Sequence, residues 1–523
     1  MPMHELVRAA AVTGFAAAIL SCQATPPADA GTTGTTGGTT DATTGEPPKC
    51  EEGACATLVH SFGLSRLAPF EETEPCVQWT LRNEQAIYVN AVTLVNDGGF
   101  HHSNWLAVPE DAFPGPDGFF KCADRDYSEL IAALQGTVVF AQSTQSRYEV
   151  QQLPPGVVIK IPPRHKIIAG THLLNLADIE LETELRIALD IIHPRDVEVL
   201  AAPFRLTYYD LDIAPHRRSR FTGTCDLAGP YVGAVGGEFD LKLYYVLPHT
   251  HYLGDYFRLE RVGGPGGDEV VFENFGFDAD ANGKAFDPPL DLTGYQGLRF
   301  SCGFDNWRDV SIGWGIGDQE MCVMLGLADS RAIMDIAVKS GSKASGVDGD
   351  VLLHEGPCDV LAFPEHAAQT EPTAEEREGP LYVPPVDPAD VDLEPVKRCV
   401  DADPTVPAKG EPTLEKIRGA IFTPACTFSS CHDAKSPAAG LDLMSAGLYE
   451  RLMDHEVAAA VDLPLVAPGD PEGSWLYRIV SRCEPTDRDG HVLRHMPYNA
   501  PTLLTDGSIA LIRAWIEAGA GAN

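Results

Sequence analysis

The chain is poor in basic residues for its length. Its 523 residues include 38 lysines and arginines against 75 aspartates and glutamates, so the formal net charge is −37. Such a surplus of negative charge repels phosphate backbones and anionic membrane surfaces. The composition therefore argues against nucleic acid as a partner.

The apolar run near the start, "AAAVTGFAAAILSC", is too short to span a bilayer as a stable helix but has the length of an export signal. We expect residues 1–21 to be a signal peptide. The letters "ILSC" are similar to a bacterial lipobox, which implies a lipoprotein anchored at Cys22 that faces the periplasm or the cell surface. A plain signal peptide cut elsewhere is the alternative.

Residues 22–55 are rich in Thr and Gly and low in apolar side chains, so they are predicted to form a disordered tether. The chain has 13 cysteines. With Cys22 set aside as the anchor, the remaining cysteines are available for disulfides or cofactor attachment, which is typical of an oxidising compartment.

Two long blocks have the pattern of β-structure. Residues 56–203 alternate short β-branched runs such as "GVVIKIPP" with turn signals such as "NDGG", and residues 204–364 contain runs such as "FRLTYYDLDI". One helix is predicted at "DYSELIAALQG", ended by Gly136. We therefore predict a mainly β fold with two tandem antiparallel β-sandwiches of jelly-roll-like type.

The remainder of the chain has a different pattern. Residues 365–412 are dense in Pro and Glu and are predicted to be an extended acidic linker that separates bodies rather than packing between them. Residues 413–523 have helical periodicity, with Ile509, Ile512 and Ile516 on one face and Gly519 as a stop. They predict a small C-terminal α-helical domain.

The stretch "LPHTHYLG" contains His249 and His251. In a strand, residues i and i+2 point to the same face, so the two imidazoles could chelate one metal ion. An isolated pair is a weak signal, because such histidines also serve as hydrogen-bonded polar residues at a sheet edge.

Further ligand candidates lie in both blocks. The first block supplies His101 and His102 in "FHHSNW" and His172 in "AGTHLL", and the second adds Met321 in "DQEMC". A thioether is a soft ligand and imidazole a borderline one, so the mixed set of the second block favours copper, particularly Cu(I).

The order "HH…H…HTHxLG…EMC" resembles the copper type II, ascorbate-dependent monooxygenases, the family of peptidylglycine α-hydroxylating monooxygenase and dopamine β-monooxygenase. The resemblance covers roughly residues 60–364 and implies two copper ions. The first copper, which stores and passes electrons, would be held by His101, His102 and His172. The second, which binds O₂ and faces the substrate across an open cleft, would be held by the catalytic residues His249, His251 and Met321.

The same resemblance implies two disulfides, Cys302–Cys322 and Cys225–Cys358, and we predict Cys76–Cys122 as a further pair in the first block. It does not extend to the substrate. Peptidylglycine enzymes hold a carboxylate with an Arg two places before the first His of the pair and a Tyr four places after the Met, where this chain has Leu247 and Leu325. An apolar pair cannot form a charge-assisted bond, so we expect a small, more apolar organic substrate.

The C-terminal domain contains Cys426, Cys431 and His432, a C-x4-C-H arrangement that departs from the C-x-x-C-H of c-type haem attachment. Its wider frame resembles the small cytochrome c-like domains of exported bacterial proteins. That resemblance implies a c-type haem with Met496 as the distal ligand, for which His495 competes.

The alternative is a helical domain without haem, in which Cys431 forms a disulfide with Cys426 or with Cys483. Cys399 and Cys483 are a possible further pair.

Together these patterns predict an exported monooxygenase that hydroxylates a C–H bond with O₂ and an electron donor, either ascorbate or the fused haem domain. The alternative is an exported copper- and haem-binding lipoprotein for electron transfer or metal handling, since fold and ligands alone do not establish a reaction. Structural or surface roles are expected for the other histidines, among them His60, His165, His193, His216, His354 and His455.

Overall fold

The computed structural model describes residues 55–142, 147–251, 253–275, 283–315, 319–364, 370–385, 391–427, 431–434, 437–498 and 500–522. The predicted signal peptide, the lipobox with Cys22 and all but the last residue of the predicted tether lie outside these residues.

Within the described residues, the first β-rich block contains eleven strands: β1 Ala56–Leu67, β2 Glu72–Thr73, β3 Pro75–Thr80, β4 Ile87–Asn96, β5 Phe100–Pro109, β6 Gly118–Lys121, β7 Thr137–Gln142, β8 Tyr148–Gln152, β9 Val157–Ile161, β10 His165–Leu174 and β11 Leu181–Ile191. The second contains twelve: β12 Val199–Tyr208, β13 Arg217–Asp226, β14 Lys242–His249, β15 Gly254–Gly264, β16 Gly267–Phe275, β17 Lys284–Asp291, β18 Gly297–Asn306, β19 Val323–Asp329, β20 Ala332–Val338, β21 Lys343–Asp348, β22 Val351–Pro357 and β23 Asp359–Pro364.

The α-helices of the described residues are α1 Glu129–Gln135, α2 Ala228–Val235, α3 Ala374–Glu378, α4 Leu414–Ile417, α5 Leu448–Asp454, α6 Trp475–Ser481 and α7 Asp506–Glu517. A π-helix runs over Arg418–Cys426, and short 3₁₀ turns lie at Cys122–Arg125, Pro194–Asp196 and Ala438–Gly440. Helix α1 ends at Gly136 as predicted. The chain is mainly β, which confirms the predicted fold class.

Each β block packs two sheets face to face around its own core. A six-stranded sheet of order β6-β3-β10-β5-β7, with β2 beside β10, covers β1, β11, β4, β8 and β9 in the first sandwich. A second six-stranded sheet, β16-β15-β18-β13-β22-β21, covers β12, β19, β14, β17, β20 and β23 in the second. Buried Trp105 lies in the first core, and Phe221 and Phe300 lie in the second.

The two sandwiches are joined through strand β12. Its residues Val199 and Leu200 pair in parallel with β9 of the first sandwich, while its later residues pair with β19 and β20 of the second. One eleven-stranded sheet therefore runs through both sandwiches. The predicted boundary after residue 203 falls inside this strand, because the strand itself is shared.

Four disulfides connect described residues: Cys76–Cys122, Cys225–Cys358, Cys302–Cys322 and Cys399–Cys483. Disulfides persist in oxidising compartments, so the chain has the chemistry of an extracellular or periplasmic protein. Within the part of the chain that the structure describes, no helix combines the length and the apolar character needed to cross a membrane.

The acidic segment after β23 packs on the first sandwich, contrary to the expectation that it separates bodies without packing. The Tyr382 hydroxyl accepts a hydrogen bond from the N–H of Glu84 at 2.8 Å. Further along, Nη1 of Arg186 donates to the carbonyl oxygen of Asp392 at 2.7 Å. Composition predicted an extended chain, but the sandwich supplies donors and acceptors for its backbone.

The C-terminal helical domain is also docked on the first sandwich. A Cβ added to Gly98, which has φ +102°, would lie 2.6 Å from Cβ of Pro501, so only glycine permits this approach. Nearby, Asp178 accepts hydrogen bonds from Thr505 and Ser508 at the start of α7. The domain thus lies close to the Gly98 turn that leads into β5.

Candidate metal centre

His249 and His251 lie together at the end of strand β14. His249 is the last residue of the strand, and His251 lies in a turn closed by a hydrogen bond from the N–H of Gly254 to its carbonyl oxygen. The ring centroids are 5.3 Å apart and both side chains are buried. Strand alternation, the geometric reason given above for their proximity, does not apply to His251, because the turn brings its ring beside His249.

The ring nitrogens of this pair have the pattern expected of metal ligands. Nδ1 of His251 lies 2.7 Å from the carbonyl oxygen of Gln319, so Nδ1 carries the proton and the lone pair is on Nε2. Within the described residues, neither nitrogen of His249 nor Nε2 of His251 has a hydrogen-bond partner. Buried polar atoms are normally hydrogen-bonded, so these nitrogens are the atoms of the pair that are available to a ligand.

Burial also keeps both imidazoles neutral. It lowers the pKa of His251 to about 4, and burial together with the neighbouring His251 lowers the pKa of His249 well below its usual value. A metal binds neutral imidazole, so no proton has to be displaced at pH 7.

Met321 belongs to a segment, residues 319–322, that is fastened to the histidine turn. Oε2 of Glu320 accepts hydrogen bonds from the N–H groups of His251 at 2.8 Å and Met321 at 3.2 Å. The next residue, Cys322, forms the disulfide with Cys302 on β18. The Met321 side chain is buried, so the segment holds a thioether in the protein interior beside the histidine turn.

Glu320 is itself fully buried. Burial raises the pKa of its carboxyl to about 8, against the opposing effect of the hydrogen bonds from the N–H groups of Leu253, His251 and Met321 and of the nearby Arg308 charge. The low-dielectric surroundings of Glu320 therefore raise its pKa more than the three backbone N–H donors lower it.

The backbones of the first predicted ligand set, His101, His102 and His172, lie close together on neighbouring strands. His102 lies directly opposite His172 in the β5–β10 ladder, and the register shifts immediately beyond, where Leu173 faces Phe100 and His101 has no opposite residue. The side chains of His101 and His102 lie outside the described residues.

His172 has a partner of the kind that metal-binding histidines use. Its Nε2 lies 2.7 Å from Oε1 of Glu72, and this hydrogen bond lowers the pKa of the Glu72 carboxyl. An ionised carboxylate accepts hydrogen bonds, so Nε2–H of His172 is the donor. Such carboxylate–histidine pairs orient imidazoles toward metals.

Both donor sets suit copper. The first offers imidazoles only, and the second offers two imidazoles with unpartnered nitrogens and one thioether, a combination of borderline and soft ligands that suits Cu(I) better than hard cations.

Leu247 and Leu325 lie directly opposite each other on β14 and β19. Leu247 is two residues before His249 on the same strand and is buried, and Leu325 is partly exposed. On its other side, Leu325 lies opposite Arg205 of β12, which forms an ion pair with Asp335. Leu247 and Leu325 therefore form an apolar pair, and the nearby Arg205 already has a carboxylate partner.

In the helical domain, Cys426 and Cys431 are free thiols, and neither of the alternative disulfides is formed. Burial raises the pKa of both thiols to about 12. Nδ1 of His432 lies 3.0 Å from the carbonyl oxygen of Leu441, which leaves the lone pair on Nε2. Two thiols and an oriented imidazole are the groups that c-type haem attachment requires.

The candidate distal ligands lie in the same domain. Met496 packs against the apolar core of the helical domain, together with Cys426. Nδ1 of His495 is buried without a hydrogen-bond partner among the described residues. Both candidate ligands therefore lie in the domain that contains Cys426 and His432.

Sequence patterns missed the residues that support the metal ligands, namely Glu72, Gln319 and Glu320. The structure also groups Asp487, Asp489 and His491 with ligand atoms within 4.8 Å of one another on the surface. Exposed acidic groups of this kind are common without a metal, and Nδ1 of His491 already lies 3.0 Å from the Asp487 carboxylate.

No family model and no curated protein matches the chain. Among solved structures, the empty particles of the cowpea mosaic virus top component match with a TM-score of 0.23 and 9% identity, over 57% of this chain and 93% of that chain. A likeness this weak carries no argument about fold or function.

Proposed function

We propose that the chain is an exported copper-dependent monooxygenase that hydroxylates a C–H bond of a small apolar molecule, using O₂ and an electron donor. The observation that carries the proposal is the buried His249–His251 pair, whose ring nitrogens lack partners and whose turn is bonded to the segment that contains Met321. Copper bound there and at the first set would supply one-electron redox chemistry and an open position for O₂.

The chain's own residues perform the positioning. The carbonyl oxygen of Gln319 holds the His251 ring in the tautomer that presents Nε2. Leu247 and Leu325 form an apolar floor next to His249, where they bind an apolar group and exclude water from the reacting C–H bond.

Electrons come from ascorbate or from the C-terminal domain. The second route is supported by the docking of this domain on the first sandwich. Glu72, the hydrogen-bond partner of His172, lies close enough to Cys431 to contribute to the raised pKa of that thiol, behind burial and Asp433. This proximity supports electron transfer from the predicted haem motif to the first copper set.

The membrane anchor is part of the proposal. Lipid attachment at Cys22 would hold the protein at a membrane surface through the tether that follows. Mass spectrometry of the mature N-terminus tests it, since an unmodified N-terminus at any other residue contradicts lipidation.

Copper analysis tests the ligand sets. We expect two copper ions per wild-type chain and one in Met321→Ile, with Met444→Ile as a control because Met444 is exposed in the helical domain. A wild-type chain that binds no copper contradicts the proposal. The alternative, a non-catalytic copper and haem protein for electron transfer, predicts the same copper content but no product from any substrate.

A further inference from the structure

Glu320 links the two segments that carry the proposed ligands of the second copper. Its Oε1 accepts a hydrogen bond from the N–H of Leu253 at 2.8 Å, and its Oε2 accepts from the N–H groups of His251 and Met321. The carboxyl group therefore accepts hydrogen bonds from both sides of the histidine turn and from the start of the methionine segment.

Burial of the Glu320 carboxyl group costs free energy unless its oxygens accept hydrogen bonds. A carboxyl group with no exposed surface has lost its hydration, and only hydrogen bonds compensate for that loss. Removal of the carboxylate would leave the three N–H groups that it bonds buried without an acceptor. The three hydrogen bonds are made to backbone N–H groups. They therefore position the backbone from which the side chains of His251 and Met321 project.

We propose that Glu320 is the positioning residue of this site, which sets the placement of Met321 relative to His251 without binding the metal itself. Both of its oxygens are directed to backbone N–H groups. The inference rests on the proposed copper set and adds a residue that the set does not include.

The test compares Glu320→Gln with Glu260→Gln. Gln keeps the size of the side chain but replaces one acceptor oxygen with an NH₂ group, which cannot accept from a backbone N–H. Glu260 is a matched control, because it is a buried glutamate of the same sandwich that pairs with Arg258 instead of the ligand segments.

X-ray absorption of the Cu(I)-loaded proteins reports whether sulfur is bound to copper. We expect the sulfur signal in wild type and Glu260→Gln, and its loss or a fall in copper affinity of roughly 10- to 100-fold in Glu320→Gln, the usual effect of removing a supporting residue. An unchanged signal and affinity in Glu320→Gln overturns the inference. No sulfur signal in wild type refutes the copper set itself, and the positioning role with it.

Hydrogen exchange of the wild-type apo-protein decides the case in which Glu320→Gln does not fold. The amides of His251 and Leu253 lie outside the strands, so their protection depends on Glu320. We expect them to exchange as slowly as the amides of β19. Fast exchange at these two positions would show that Glu320 does not hold the turn.

Discussion

Asp178 of the first sandwich accepts hydrogen bonds from both the N–H and the hydroxyl of Thr505, at 2.8 and 2.6 Å. Thr505 is the N-cap residue of α7, and its own side chain makes no capping bond. A residue of the β-sandwich therefore caps a helix of the C-terminal domain, and the same carboxylate accepts from the hydroxyl of Ser508 at 2.7 Å.

Replacement of Asp178 by Ala should loosen this domain. A lost helix cap costs about 1 kcal/mol, so the first turn of α7 should exchange its amide hydrogens faster and the domain should dissociate from the sandwich more often. Hydrogen exchange followed by mass spectrometry measures the effect. Asp111→Ala, an exposed aspartate of the same sandwich, is the control. Equal exchange in both variants would mean that Asp178 does not hold the domain.

Substrate recognition should not depend on a carboxylate. Leu247 and Leu325 offer no charge-assisted hydrogen bond, which in other sites favours a bound ion by roughly 10- to 100-fold. We expect a peptide with a free C-terminal carboxylate and its amide to inhibit the proposed activity equally, within about 3-fold of each other. If the acid inhibits roughly 10- to 100-fold more strongly than the amide, a cationic group must lie at the site.

His60 predicts a pH dependence of stability. Its ring stacks on Trp79 with centroids 4.3 Å apart, and burial lowers its pKa to about 3, against a weaker opposing effect of Asp117. As the pH falls below about 6.5, the unfolded imidazole takes up a proton that the folded one does not, so the folded state loses stability until about pH 3.

His60→Phe retains an aromatic ring and removes this titration. The unfolding free energy of the variant should therefore fall less steeply than that of wild type between pH 6.5 and pH 5. Urea unfolding at a series of pH values measures both slopes. Parallel slopes would show that His60 titrates normally in the folded state.

The two thiols of the helical domain should carry haem. Protein matured with haem-attachment machinery should show a Soret band, and its Cys426 and Cys431 thiols should not be titratable. The Cys426→Ser/Cys431→Ser variant should show no Soret band. If wild type has no Soret band, the domain is haemless. In that case the raised pKa of both thiols predicts slow alkylation at pH 8, because nearly all of each thiol is protonated.

Several strands and helices could be predicted from the sequence, because the spacing of apolar residues along a short segment indicates which of the two it forms. The run "GVVIKIPP" contains β9, and the face of Ile509, Ile512 and Ile516 is buried in α7. The predicted disulfides Cys302–Cys322, Cys225–Cys358 and Cys76–Cys122 are formed.

The supporting residues of the site could not be predicted in this way. Glu72 lies 100 residues from His172 in the chain, and Glu320 lies 69 residues from His251. Their roles arise only when strands distant in sequence become neighbours, and no spacing rule describes such contacts. The acidic segment after β23 was misjudged for a similar reason, because its composition does not reveal that Tyr382 and its backbone find partners on the sandwich.

The most direct test of the account is product formation by the copper-loaded protein with isotopically labelled O₂ and ascorbate against a panel of small apolar molecules. We expect wild type to form a product that has gained one labelled oxygen. We expect Met321→Ile, which keeps the copper of the first sandwich, to form no such product. The account is contradicted if wild type, with both coppers bound, forms no such product from any molecule of the panel, or if Met321→Ile forms it equally well.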